Sequence, residues 1–184
     1  MVENTSDMGS VTVIMPVYNR ERYIETAIRS VIDQTYDNWK LIVVNDGSTD
    51  STCSIVERLS SEDSRIILSH NVGDKGAAGS RNYGLDMCSS EYVAFLDSDD
   101  VWEPSKLKTQ LDQMKQKGAD MSYTSYAIVD ENGVRKKSNY IVPEITTFEQ
   151  MLKENVVGCS TVILSGDIVQ KYRFTTDFYH EDYC

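Results

Sequence analysis

The chain has 184 residues and a formal net charge of -11, a length suited to one domain or one domain with a small appendage. Its 40% apolar and 26% charged residues are ordinary for a globular protein. The acidic balance speaks against a general nucleic-acid binder, which needs basic surface, but not against a small phosphorylated ligand held through a divalent cation.

The polar start "MVENTSDMGS" reads as a frayed lead-in over residues 1–10 without the apolar core of a signal peptide. "VTVIMPV" (11–17) is a buried strand. Tyr23, Ala27, Ile28, Val31 and Ile32 then recur at helical spacing. "WKLIVVN" (39–45) is a second buried strand, "DGSTDST" (46–52) supplies turn and cap chemistry, and a helix follows with Ile55, Val56 and Leu59 on one face. "RIILS" (65–69) is a third strand. The glycine-rich "HNVGDKGAAGSRNYG" (70–84) becomes helical from about Ala77 to Met87, and "YVAFL" (92–96) is a fourth strand.

Pro104 opens a helix that runs to about Lys117, with Leu107, Leu111 and Met114 inward. "ADMSYTSYAIVD" (119–130) alternates like a strand, and "DENG" (130–133) is a turn between paired strands. "TTFEQMLKEN" (146–155) reads as a short capped helix and "CSTVIL" (159–164) as a strand. Alternating helices and buried strands predict an α/β fold: a Rossmann-like, mostly parallel sheet with helices on both faces. No apolar run is long enough to span a bilayer. Cys53, Cys88, Cys159 and Cys184 form no CxxC pair or Cys/His cluster, so they read as reduced thiols in a cytoplasmic protein.

In an open parallel sheet, ligands bind beyond the carboxyl ends of the strands. Three polar clusters fall there: "PVYNR", "NDGSTD" and "DSDD". Asp97, Asp99 and Asp100 repel one another in so tight a group, and oxygen ligands suit Mg2+ or Mn2+, which commonly bridges a carboxylate to substrate phosphates. An acidic loop with a helix-capping Asp is the plain alternative, and D-x-D by itself is a weak motif. Asp46 directly after a buried strand suits a base imide N–H or a ribose hydroxyl. Tyr18 could wall the base, although a tyrosine at a strand end is more often core packing than a stacking platform, and taken singly it reads as core. Arg81 and Lys75 could pair with phosphate. The chain lacks a P-loop order and a G-x-G-x-x-G after the first strand. "YHEDYC" (179–184) ends the chain with His180, Glu181 and Asp182 adjoining.

Taken in order, "VTVIMPVYN", "SVIDQTYDNWKLIVVNDGSTDST", "GAAGSRNYGLDMCSSEYVAFLDSDD" and "HED" closely resemble the family 2 glycosyltransferases of GT-A fold. The resemblance implies an inverting transfer of a sugar from a UDP- or GDP-type donor, with Mn2+ or Mg2+, to a saccharide, lipid-linked or protein acceptor. Carried over by motif, Pro16, Tyr18, Asn19, Asp46, Gly47, Ser48, Arg81, Asp97 and Ser98 would hold the nucleotide sugar. Asp99, with Asp97, would hold the metal, and Asp182 would be the catalytic base with Glu181 beside it.

Residues 11–184 would form one GT-A domain, with a donor half over 11–100 and an acceptor-side half over 101–184. The resemblance further implies a role in polysaccharide or surface glycan assembly in a bacterium, in the cytoplasm and with peripheral membrane association left open. Two departures stand out: the usual D-D before Gly is Asn45-Asp46, and the chain stops two residues after Asp182, short of the helix and acceptor-binding structure with which family members continue. A catalytically inactive nucleotide-sugar binder therefore stays open. A sugar nucleotidyltransferase would need a basic glycine-rich loop where "PVYNR" stands, and a phospho-acceptor domain would need a late strand-end Lys that 119–126 does not offer.

Overall fold

The computed structural model describes residues 8–130, 133–151 and 153–176, except for the side chains at 137, 138 and 148. The helix and strand bounds expected from periodicity are met closely through the first 117 residues. β1 (Val11–Val17), α1 (Ile24–Ile32), β2 (Trp39–Asn45), α2 (Thr52–Glu62), β3 (Ile66–His70), α3 (Gly76–Asp86) and β4 (Tyr92–Phe95) alternate, and α4 (Lys106–Lys117) follows. After them come β5 (Met121–Ser122), β6 (Tyr126–Val129), β7 (Arg135–Tyr140), α5 (Phe148–Met151), β8 (Ile163–Ser165) and α6 (Gly166–Lys171).

The main sheet has the order β3-β2-β1-β4-β8-β5. β1 is central: it pairs in parallel with β2, from Val11↔Trp39 to Val17↔Asn45, and with β4, from Val11↔Tyr92 to Ile14↔Phe95. The chain therefore steps outward from β1 to β3 and returns to the other flank at β4. That reversal is the place where open α/β sheets form a crevice. β8 runs antiparallel to both β4 and β5.

Both faces of the sheet are covered, which is why β1 and β2 read as continuous apolar runs rather than alternating ones. Val13, Met15 and Val17 point to one face with Ile28 and Val31 of α1 and Leu107, Leu111 and Met114 of α4. Ile14, Ile42, Val44 and Phe95 point to the other, with Leu85 of α3 and Val169 of α6. The start of α4 is fixed from a distance. Gln34, buried after α1, accepts the Leu107 N–H through Oε1 (3.0 Å) and donates to the Glu103 and Ser30 carbonyls (2.9 and 3.0 Å). It thus satisfies one of the N–H groups that a helix start leaves unpaired.

Two expectations from sequence differ from the structure. Cys159–Thr161 is a turn of 3-10 helix, and only Ile163–Ser165 is strand. The Thr161 N–H and hydroxyl both bond back to the Gly158 carbonyl, which closes the tight turn. The 119–130 stretch is not one strand. Met121–Ser122 joins the main sheet, whereas Tyr126–Val129 leaves it and pairs antiparallel with β7 in a separate two-stranded sheet. Residues 131 and 132 of the expected turn lie outside the described residues.

α3 crosses β1 and β2 at Gly84. A Cβ there would stand 2.6 Å from Ile14 Cγ2, and Ile14 is fully buried with nowhere to move. Helix propensity alone predicts that Gly84→Ala stabilises by about 1 kcal/mol. We expect the opposite sign, a loss of about 1–3 kcal/mol from overpacking, read from urea unfolding. A second test concerns Lys106. Its ammonium donates to the Gln110 side chain and to the Thr161 carbonyl (3.3 Å), under the ring of Trp102. Burial lowers its pKa from 10.5 to about 7. Between about pH 7 and 10.5 the unfolded chain then binds more protons than the folded one, so stability rises with pH across that window. Lys106→Met should remove this slope. Its stability relative to wild type is expected to be highest near pH 7 and to fall steadily as pH rises, measured by denaturant unfolding at successive pH values.

Candidate functional site

The carboxyl ends of β3, β2, β1 and β4 deliver four short segments to one edge of the sheet. Register does this directly: Val17 is level with Asn45, and Asn45 with His70. Leu96 continues β4 by donating its N–H to the Ile14 carbonyl (3.1 Å), so Asp97 emerges beside the end of β1.

The segments after β1 and β2 are laced by short polar side chains. Ser48 Oγ accepts the Asn19 N–H (3.0 Å), and Asn19 Oδ1 accepts the Thr49 N–H (2.8 Å). Asn19 has a φ of 51°, a left-handed conformation that Asn tolerates better than most residues. Gly47 has a φ of 90°, which its missing Cβ permits. Thr52 Oγ1 accepts the Arg20 N–H (2.9 Å) and Asp50 accepts the Glu21 N–H (3.1 Å). Tyr18, which directly follows β1, is left 55% exposed and so does not pack in the core. Pro16 lies within β1 opposite Val44.

Asp46 is held in place. Its Oδ1 accepts from Asn71 Nδ2 (2.9 Å), its Oδ2 accepts from the Gly76 N–H (2.8 Å), and Lys75 Nζ stands 3.5 Å away. The Asp46 side chain is only 13% exposed. A carboxylate has about four acceptor positions, so Asp46 retains capacity for a ligand N–H or O–H. Asn45 is buried beneath it, bonded to His70 Nδ1 (3.1 Å) and to the Ser48 N–H (2.9 Å). The Asn at this position is therefore a loop brace.

The acidic group after β4 is differentiated by its surroundings. Asp97 Oδ1 accepts from the Arg81 guanidinium at 2.7 Å, and the Arg81 side chain is 3% exposed. Arg81 is thus paired with a carboxylate at the end of β4. The Asp97 N–H donates to Ser160 Oγ (3.0 Å), and Ser98 is buried. Asp99 is half-exposed and meets Arg20 Nε at 3.5 Å, a surface pair worth about 0–1 kcal/mol. A ligand displaces such a pair at little cost. Asp100 keeps solvent access, yet partial desolvation pushes its carboxyl above the ordinary carboxylate range. The Ser160 hydroxyl opposes that rise, and the charges of Asp97 and Asp99 add to it.

This crowding of carboxyl groups is what a cation relieves. Among the described residues no three His, Cys, Asp or Glu side chains form a metal cage. Mg2+ and its like need no such cage, since one or two carboxylates plus water and phosphate oxygens complete the shell. Asp99 and Asp97 fit that pattern.

Several contributors carry no motif of their own. Asn71 bonds at once to Asp46, to the Asp74 carbonyl (2.6 Å) and to Ser80 (3.2 Å), and so sets the 71–76 turn. Ser160, 63 positions from Asp97, braces the acidic loop from β8's side, and its carbonyl accepts from Trp102 Nε1 (2.8 Å). The glycine-rich 73–79 stretch is helical from Gly76, and the Gly73 N–H is tied to Asn71 Oδ1 (2.9 Å). Cys53, Cys88 and Cys159 are free thiols. Glu181 and Asp182 lie outside the described residues.

Comparison with known proteins follows the same lines. The chain is 41% identical over 174 residues to the Escherichia coli UDP-Glc:alpha-D-GlcNAc-diphosphoundecaprenol beta-1,3-glucosyltransferase WfgD, covering 94% of this chain and 66% of that protein. It is 38% identical to the putative teichuronic acid biosynthesis glycosyltransferase TuaG of Bacillus subtilis, covering 85% of this chain and 62% of that protein. The chain thus spans somewhat under two thirds of the length of these relatives. Among solved structures, TarS 1-349 of S. aureus superposes with a TM-score of 0.77 at 26% identity, over 95% of this chain and 53% of that one. A mannosyltransferase from Pyrobaculum calidifontis, solved with GDP-Man and Mn2+, shares the fold at a TM-score of 0.71 and 20% identity, over 98% of this chain and 51% of that one. The family described as Glycosyl transferase family 2 matches residues 12–169, and with the GT-A type of sheet and its strand-end acids the chain belongs to that family.

Proposed function

We propose that this domain transfers a sugar, with inversion, from a UDP-sugar to a hydroxyl of a lipid-linked saccharide in the assembly of a bacterial surface glycan. One observation carries the reading: Asp46, Asp97 and Asp99 stand beyond the carboxyl ends of β2 and β4, the two strands that flank β1, each with a different degree of charge compensation. The relatives' names support the donor and the acceptor. WfgD is named for UDP-Glc and a diphosphoundecaprenol-linked GlcNAc, and TarS has been solved with UDP and with UDP-GlcNAc.

In this reading Tyr18 lies against the base, and Asn19, Gly47 and Ser48 shape the turn around it. Asp46, pre-set by Asn71 and the Gly76 N–H, accepts from the base imide or the ribose. Asp97, aligned by Arg81 and by Ser160, takes the ribose or sugar hydroxyls. Asp99, with Asp97, would hold Mn2+ or Mg2+, which when bound offsets charge on the departing diphosphate. Asp182, with Glu181 adjoining, is assigned to remove the proton from the acceptor hydroxyl. Inversion requires attack from the face opposite the leaving group, so base and diphosphate belong on opposite sides of the anomeric carbon.

Such a site is assembled before the ligand arrives. Asp46, Asp97 and the two loops are already bonded into one geometry, which removes part of the ordering cost of binding. Among the described residues no helix is long and apolar enough to cross a membrane. A lipid-linked acceptor would be met by peripheral association with the bilayer surface.

Two variants test the assignments. Wild type should be stabilised by UDP with Mn2+, since a ligand at 100 times its Kd adds about 2.7 kcal/mol. Asp99→Ala should lose the Mn2+-dependent part of that gain in a thermal-shift titration. Equal UDP affinity with and without Mn2+ in both proteins would remove the metal from the account. Asp182→Asn should bind UDP normally and lose transfer by roughly 10²–10⁴-fold, measured with UDP-glucose and a GlcNAc-diphospho-lipid; a fully active variant would place the base elsewhere.

A further inference from the structure

Asn82 follows Arg81 in α3 and makes an unusual pair of contacts. Its Nδ2 donates to the Phe174 carbonyl (2.8 Å), and its Oδ1 accepts the Phe174 N–H (2.9 Å). Both bonds go to the backbone of one residue, 92 positions away. This is the exchange that two facing strand residues make, here made by a side chain on a helix.

The ring of Phe174 is held as well. It meets Phe95, the last residue of β4, edge-on at 5.2 Å and 89°. It also lies 5.4 Å from the Arg81 guanidinium, the group that aligns Asp97. One residue is therefore fixed by its backbone to Asn82 and by its ring to Arg81 and β4. Phe174 also lines a pocket of about 250 Å3 together with Leu85, Val162 and Val169.

The segment after α6 runs through Phe174 toward Glu181 and Asp182 in sequence. We infer that Asn82 is a positioning residue for glycosyl transfer: it holds the backbone of Phe174 against α3, beside the Arg81–Asp97 pair. Its catalytic consequence rests on the function proposed above. Donor binding depends on Asp46, Asp97 and Asp99, none of which bonds to Asn82. In that reading turnover depends on Glu181 and Asp182, which follow Phe174 in sequence. Loss of Asn82 should therefore separate the two, and a misplacement of the order of 1 Å can cost about 10²-fold in rate.

The test uses the full chain with Asn82→Ala and with Asn82→Asp, which keeps the shape and the acceptor but cannot donate to the Phe174 carbonyl. Hydrogen exchange of the Phe174 amide should speed up in Asn82→Ala while β1 and β2 stay protected. Unchanged exchange overturns the inference. For turnover of UDP-glucose with Mn2+, kcat should fall roughly 10- to 100-fold in Asn82→Ala and less in Asn82→Asp. The Kd for UDP with Mn2+ should stay within roughly threefold of wild type. An unchanged kcat, or a Kd that worsens as much as kcat falls, overturns it too. If wild-type protein binds no UDP with Mn2+, the proposed function fails instead, and the exchange result at Phe174 still decides the clamp.

Discussion

An arginine side chain buried to 3% exposure cannot stand without a negative partner, because desolvating a lone charge costs several kcal/mol. Arg81 meets that condition against Asp97, and much of the site follows from it. The pair joins the first half of α3 to the end of β4, across the sheet's point of reversal. The three neighbouring acids differ in their surroundings. Asp97 is charge-compensated and aligned, Asp99 is weakly paired and available, and the Asp100 carboxyl is raised above the ordinary carboxylate range. Identical side chains in one tetrapeptide thus acquire different chemistry from their surroundings.

The second constraint is backbone satisfaction at the sheet edge. Strand ends expose N–H and C=O groups that no ladder pairs. Here they are answered by Asn19, Ser48, Asp50 and Thr52 between two loops, and by Asn71 beneath a third. These small residues tolerate turn conformations and bond to nearby backbone. The result is a crevice whose walls are fixed by many modest bonds of about 1 kcal/mol each. Tyr18 stays exposed among them because its neighbours are braced independently of it.

Much of this was legible from sequence. β1 and β2 are buried on both faces, so their β-branched runs were unambiguous, and α1 and α4 showed clean apolar stripes. Asp46 and Asp97 could be placed because each stands at the end of such a strand, and Asp99 follows two residues later. The region beyond residue 117 was less legible. Its strands are two to six residues long, and one is an edge pair whose partner choice depends on the whole sheet. The 159–164 segment has strand composition, yet its first turn is 3-10 helix, because Gly158 accepts two bonds from Thr161.

What the amino-acid order determined by itself was local: which runs were too apolar to face water, where they had to end, and which polar residues therefore stood at one edge. That information lies in spacing of a few residues. Only the tertiary structure decided which polar groups meet. Arg81 with Asp97, Ser160 with the acidic loop, Asn71 with Asp46 and Asn82 with Phe174 join residues 16 to 92 positions apart. No periodicity encodes such pairs, because short-range patterns specify burial and not partners across a fold. The sheet order fixes those partners once β4 has returned beside β1.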